Sequence, residues 1–184
     1  MATLAEIRAK LQAQTSKPSG EGGGDNAIYP HWNIPENSEA VLRFLPDKDP
    51  NNTFFWTERA MIKLPFNSVK GDASSGPVQV QIPCMEMYND ACPILAEVRQ
   101  WFKDKSLEDL GRKYWKKRSY IFQGFVVSSP LQEDAQPENP IRRFIIGPQI
   151  FNIIRGALMD PEMEEMPTDY VKGVDFRITK ATKV

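Results

Sequence analysis

Between Arg99 and Arg118 lie eight bases and three acids. The bases are Arg99, Lys103, Lys105, Arg112, Lys113, Lys116, Lys117 and Arg118, and the acids are Asp104, Glu108 and Asp109. The segment nets +5 within a 184-residue chain whose formal charge is −1, so the remainder carries −6. Trp101, Phe102, Tyr114, Trp115, Tyr120 and Phe122 sit inside or beside the basic run. Cations next to flat rings suit a single-strand nucleic-acid binder: the cations track phosphates and the rings stack on bases of any sequence. Arg142, Arg143 and Phe144 repeat the pattern further along. The competing reading of Arg99 to Lys105 is a solvated helix face. Trp101 and Phe102 share the apolar helix face of Val98, which predicts them in a core.

Other chemistry finds little support. Walker, dinucleotide-binding and Gly-x-Ser-x-Gly signatures are absent from the chain. His31 is the only histidine. It stands in Tyr29-Pro30-His31-Trp32, where a packing or surface role is expected. The acids of Asp160 to Asp169 are interrupted by Pro161 and Pro167, as in a solvated loop. Cys84 and Cys92 are the only cysteines, with seven residues between them, whereas a structural zinc site takes four Cys or His ligands, usually as close pairs. The expectation is two buried thiols, no metal, no cofactor and no catalytic residue, hence not an enzyme.

The elements that must position these residues follow from periodicity. Leu4, Ile7 and Leu11 recur at helical spacing in Ala2 to Gln14, and Thr15 to Asn26 is a Gly-rich linker by composition. Residues 1–26 therefore read as a helical arm and linker, and 27–184 as the folded core. Ala40 to Leu45 is a strand stopped by Pro46. The run from Phe54 to Leu64 alternates, with Phe54, Trp56, Ala60, Ile62 and Leu64 on one face and Thr57, Arg59 and Lys63 on the other. Val78, Val80 and Ile82 continue the alternation after a turn at Gly71 to Pro77. Pro93 to Phe102 changes to helical period, with Pro93 suited to the first turn. Ser106-Leu107-Glu108-Asp109 resembles a capping box opening a second helix. Tyr120 to Val127 and Ile141 to Ile146 are strands, Pro148 opens a third helix, and Val174 to Ile178 is a last strand. Clustered strands argue against a doubly wound parallel sheet and suit a small antiparallel barrel of about six strands with a helical insertion.

Composition removes several classes. The apolar fraction of 41% and charged fraction of 26% are ordinary for a globular chain. No apolar run approaches the roughly 18 residues of a membrane-spanning helix. Met1 to Gln14 has no signal-peptide core, and two cysteines do not make a secreted disulfide scaffold. The expectation is a protein of a reducing cytosol.

Several segments, in order, resemble one family. They are Ala40-Val41-Leu42-Arg43-Phe44-Leu45-Pro46, Tyr88-Asn89-Asp90-Ala91-Cys92-Pro93, Lys116-Lys117-Arg118-Ser119-Tyr120 with Val126-Val127, and Ile146-Gly147-Pro148-Gln149-Ile150-Phe151. They are similar to the single-stranded-DNA-binding, helix-destabilising gene 32 protein family of T-even-type bacteriophages, over most of Ala40 to Lys183. The resemblance implies an OB-fold core with a small subdomain inserted around 65–105, and single-stranded DNA bound in a basic, aromatic-lined cleft. It implies cooperative coating of strands in phage replication, recombination and repair, in the cytoplasm of the host bacterium. The partners would be single-stranded DNA, neighbouring copies, and phage replication and recombination proteins. Arg8 and Lys10 of the arm would contact the neighbouring copy.

On this reading Lys116, Lys117, Arg118, Arg142 and Arg143 neutralise phosphates. Tyr114, Tyr120 and Phe122 are candidates for stacking. Arg112, Lys113, Arg59, Lys63 and Tyr88 are rim contacts. The family holds zinc with one His and three Cys. Cys84 and Cys92 match two of those positions, but Leu95 stands at a third and no His lies between Trp56 and Cys84. The inserted subdomain is therefore expected to be held by packing of Ile94, Leu95, Val98 and Trp101. The sequence stops at Lys183-Val184, as either a core whose acidic tail has been removed or a tailless relative would, and much of the charge offset lies within the core, notably at Asp160 to Asp169. The alternative function is an OB-like adaptor binding protein through its aromatic surface. A hydrolase built on His31 or the acidic loop is a third reading.

Overall fold

Alternation of small or apolar side chains with polar ones builds the sheet. In a computed structural model, which describes residues 26–66, 77–133 and 137–182, Ala40, Leu42 and Phe44 point inward from β1 (Ser38–Phe44). Ala60 and Ile62 do so from β2 (Trp56–Phe66), which runs antiparallel to β3 (Val78–Pro83). β4 (Lys117–Ser128) buries Tyr120, Phe122 and Gly124, and β5 (Arg142–Ile146) buries Arg142, Phe144 and Ile146. β6 (Phe176–Lys180) closes the order along the chain. The sequence expectations for the Gly71 to Pro77 turn and for Ala2 to Gln14, with Arg8 and Lys10, lie almost wholly or wholly outside the described residues.

All strand pairs are antiparallel, and the sheet runs β3-β2-β4-β1-β6, with β5 also on β4. The register shows how β4 organises it. Tyr120 pairs with Glu58 of β2 and Ile146 of β5, so those strands lie on opposite edges of β4. Past Phe122 the β2 edge passes to β1, because Gly124 pairs with both Phe44 and Arg142. Gly124 is required there: an added Cβ would lie 2.0 Å from the Arg43 carbonyl oxygen. Among the described residues the result is a mainly β domain of six strands in one open path, ended by β3 and β6, with three helices.

Two cores form. The larger packs Tyr29, Ile34, Leu42, Phe44, Phe122, Phe144 and Ile146 under Phe151 and Ile154 of α3 (Pro148–Leu158). Its rings interlock, with Phe44 stacked on Phe122 at 4.6 Å and Tyr120 on Phe151 at 3.5 Å. The smaller joins Ala60, Ile62, Cys84, Cys92 and Leu95, flanked by Ile94 and Trp115. Leu95 and Val98 of α1 (Pro93–Trp101) are fully buried, while Ile94 and Trp101 are half-buried. α2 (Glu108–Tyr114) follows. Its predicted capping box does not form. Asp104 Oδ1 accepts both the Ser106 N–H at 2.9 Å and the Ser106 hydroxyl at 2.7 Å, so Ser106 is spent on a local turn and Leu107 precedes the helix with no side-chain cap.

Candidate nucleic-acid interface

A strand shows one set of side chains to the core and the next set to the other face. On β4 the core set is Tyr120, Phe122 and Gly124, so Lys117, Ser119, Ile121 and Gln123 face outward. Pairing extends that face sideways. Met61 lies beside Lys117 and Arg59 beside Ser119. On β3, Gln81 lies beside Lys63, and on β5, Ile145 beside Ile121 and Arg143 beside Gln123.

This face holds a groove of about 530 Å³ whose lining includes Trp32, Arg59, Lys63, Lys117, Arg118 and Ile145. Arg59 Nε donates to Ser119 Oγ at 3.3 Å, and Lys117 Nζ donates to the Arg112 carbonyl at 3.0 Å. Arg118 reaches Glu58 at 3.4 Å, an exposed pair of small stabilising value. Lys117 projects from the outward face and Arg118 from the opposite side of the strand's first residues, so with Arg59 and Lys63 four cations border the groove.

Trp32 is the ring sequence reasoning missed. It is 53% exposed, whereas Trp56, Trp101 and Trp115 are half-buried. It stands on a short 3-10 turn, His31–Asn33, held from below. The Tyr29 N–H donates to the Arg143 carbonyl at 2.9 Å, and the Arg143 N–H donates to the Ala27 carbonyl at 2.6 Å. Tyr29 is fully buried, edge-on to Phe144, with its hydroxyl 2.7 Å from Ser129 Oγ. His31 lies beneath Trp32, their ring centroids 5.3 Å apart, and burial pushes its pKa down. The available signal was an aromatic placed beside residues too apolar for a linker.

A second bay of about 580 Å³ shares Lys117 and Arg118 with the groove and adds Trp115, Lys116 and Pro148. Lys116 Nζ donates to Glu86 Oε2 at 2.5 Å, and Arg99 pairs with the other oxygen of the same carboxylate. Hydrogen bonds from Lys116 and then Arg99 hold the Glu86 carboxyl below the usual range. The Arg99 guanidinium also lies 5.8 Å over the Trp115 ring. A third, smaller bay is lined by Asp47, Thr57, Gln123 and Arg143.

The other predicted residues are placed elsewhere. Tyr120 and Phe122 are core rings and present no face for stacking. Arg142 is buried, so it is not a phosphate contact. Its guanidinium makes two 2.8 Å bonds to Glu133, donates to the Ile28 carbonyl at 3.2 Å and lies 5.5 Å over Tyr29. It thereby anchors the segment that carries Trp32. Tyr114 packs edge-on to Trp101 in an apolar groove between the helices. Arg112 pairs with Glu108, and Lys113 lies 5.7 Å over Tyr114. Tyr88 is exposed on the 3-10 turn Met85–Tyr88 and lines none of the three bays.

Cys84 and Cys92 are buried free thiols, and burial pushes the Cys84 thiol up. Among the described residues no three His, Cys, Asp or Glu side chains converge as metal ligands. Among the same residues no helix is long and apolar enough to cross a membrane.

No protein-family model matches the chain, and no curated protein matches it.

Proposed function

We propose that the protein binds single-stranded DNA without sequence preference, as a binding protein and not an enzyme. One observation carries the reading: Arg59, Lys63, Lys117 and Arg118 line the same outward groove as the exposed ring of Trp32. Cations for phosphates and a ring for bases are the two components that sequence-independent binding needs. In finer detail, the fold is an OB-type barrel with a small subdomain inserted around 65–105. The role is cooperative coating of exposed strands in phage replication, recombination and repair, with neighbouring copies as partners. No bond is broken. Helix destabilisation is mass action, because a ligand that prefers single strands draws the duplex equilibrium open.

Titration of tryptophan fluorescence with oligothymidylate at several salt concentrations tests this. Binding should weaken with salt, with a log–log slope near −0.7 for each phosphate neutralised. Lys117→Ala with Arg118→Ala should make the slope shallower by about 1.4, the equivalent of two phosphates. A slope unchanged by both substitutions removes the groove from the site, and absence of binding at low salt favours the protein-adaptor function.

A further inference from the structure

Lys116 has the sequence position of a phosphate ligand but not the freedom of one. Its side chain is 17% exposed, and its ammonium is engaged by Glu86, a residue thirty positions earlier. Glu86 sits on the 3-10 turn of the helical subdomain, Arg99 on α1, and Lys116 at the entrance to β4. One carboxylate therefore ties three elements together where the subdomain meets the sheet. Its two oxygens take one cation each. A phosphate diester offers the same arrangement, two anionic oxygens to two cations.

The surroundings extend the match. Lys116 lines the bay that shares Lys117 and Arg118 with the Trp32 groove, so a strand leaving the groove passes directly into it. Trp115 is also in that lining and lies beneath Arg99. We infer that this bay is a second subsite of the nucleic-acid interface, in which Glu86 stands in the place of a phosphate and is displaced when the strand enters. Arg99 and Lys116 become phosphate ligands only on that exchange. The inference rests on the single-strand binding proposed above and adds to it a residue that sets affinity from inside the protein.

Glu86→Gln removes the competing charge while keeping the side chain's shape. Binding of oligothymidylate should tighten several-fold at low salt, because the strand no longer has to displace a carboxylate from the two cations. Unchanged or weaker binding overturns the inference. A second measurement needs no variant: the Lys116 ammonium resonance of the wild-type protein, followed by NMR. At saturating oligothymidylate it should shift and acquire coupling to phosphorus, and a resonance that stays in place also overturns the inference. If Lys117 and Arg118 prove necessary while Glu86→Gln and the Lys116 resonance show nothing, the groove stands and this subsite falls. If the wild type does not bind oligothymidylate, both fall.

Discussion

Neighbouring residues in a strand cannot share a face, and Arg142 and Arg143 show what that costs a sequence-based site. Arg143 joins the outward face beside Gln123, whereas Arg142 turns inward to Glu133. Tyr120 and Phe122 obey the same rule, since both fall on the core side of β4. Alternation predicts that outcome once the core side is known, which makes it the one correction the sequence could have carried. Trp32 belongs to the opposite case, an exposed ring that strand periodicity could not place because it stands on a turn. Trp32→Ala should weaken oligonucleotide binding by about 1–3 kcal/mol and remove much of the fluorescence change. It should leave the melting temperature nearly unchanged, because the ring is more than half exposed. A normal affinity would show that the ring does not stack.

At the scale of elements, β4 decides the architecture. Its twelve residues serve β2 and then β1 along one edge and β5 along the other. The handover requires the close approach of Gly124 to the Arg43 carbonyl, where even a methyl group has no room. Gly124→Ala should therefore destabilise the fold by about 3 kcal/mol or more, because the obstruction is backbone and cannot rotate away. Denaturant titration measures this, and a loss below about 1 kcal/mol would mean that the β1–β4 crossing can yield. Helix positions were legible from apolar spacing. Ser106 was misassigned because its hydroxyl donates to Asp104, two residues away, instead of accepting an N–H of the helix's first turn.

For the whole molecule, charge placement matters more than total charge. Glu133 is held below its ordinary value of 4.5 chiefly by its hydrogen bonds from Arg142, and Glu86 by those from Lys116 and Arg99. Both are depressed carboxylates. Their stabilisation is complete above the unfolded value and fades as pH falls through the lower folded value. Melting temperature should thus begin to decline as pH falls below about 6.5, where the unfolded chain's imidazole takes up a proton that the buried His31 resists, and should decline further below about 4.5 as the two carboxylates are lost. Glu133→Gln should flatten part of that decline. It should also cost about 3 kcal/mol at neutral pH, because the Arg142 charge stays buried without its partner. A variant as stable as the wild type would mean that Arg142 finds another acceptor.

The sequence alone determined the order of strands and helices, the inward faces of most of them, and a local surplus of bases beside aromatics. Those properties repeat within a few residues, so local spacing carries them. Only the tertiary structure decided which bases remain available. Lys116 meets Glu86 across thirty positions, and Arg142 meets Ile28 across 114. Neutralisation of a cation depends on sheet register and on which distant elements pack beside it, and neither is encoded in the residues adjacent to it.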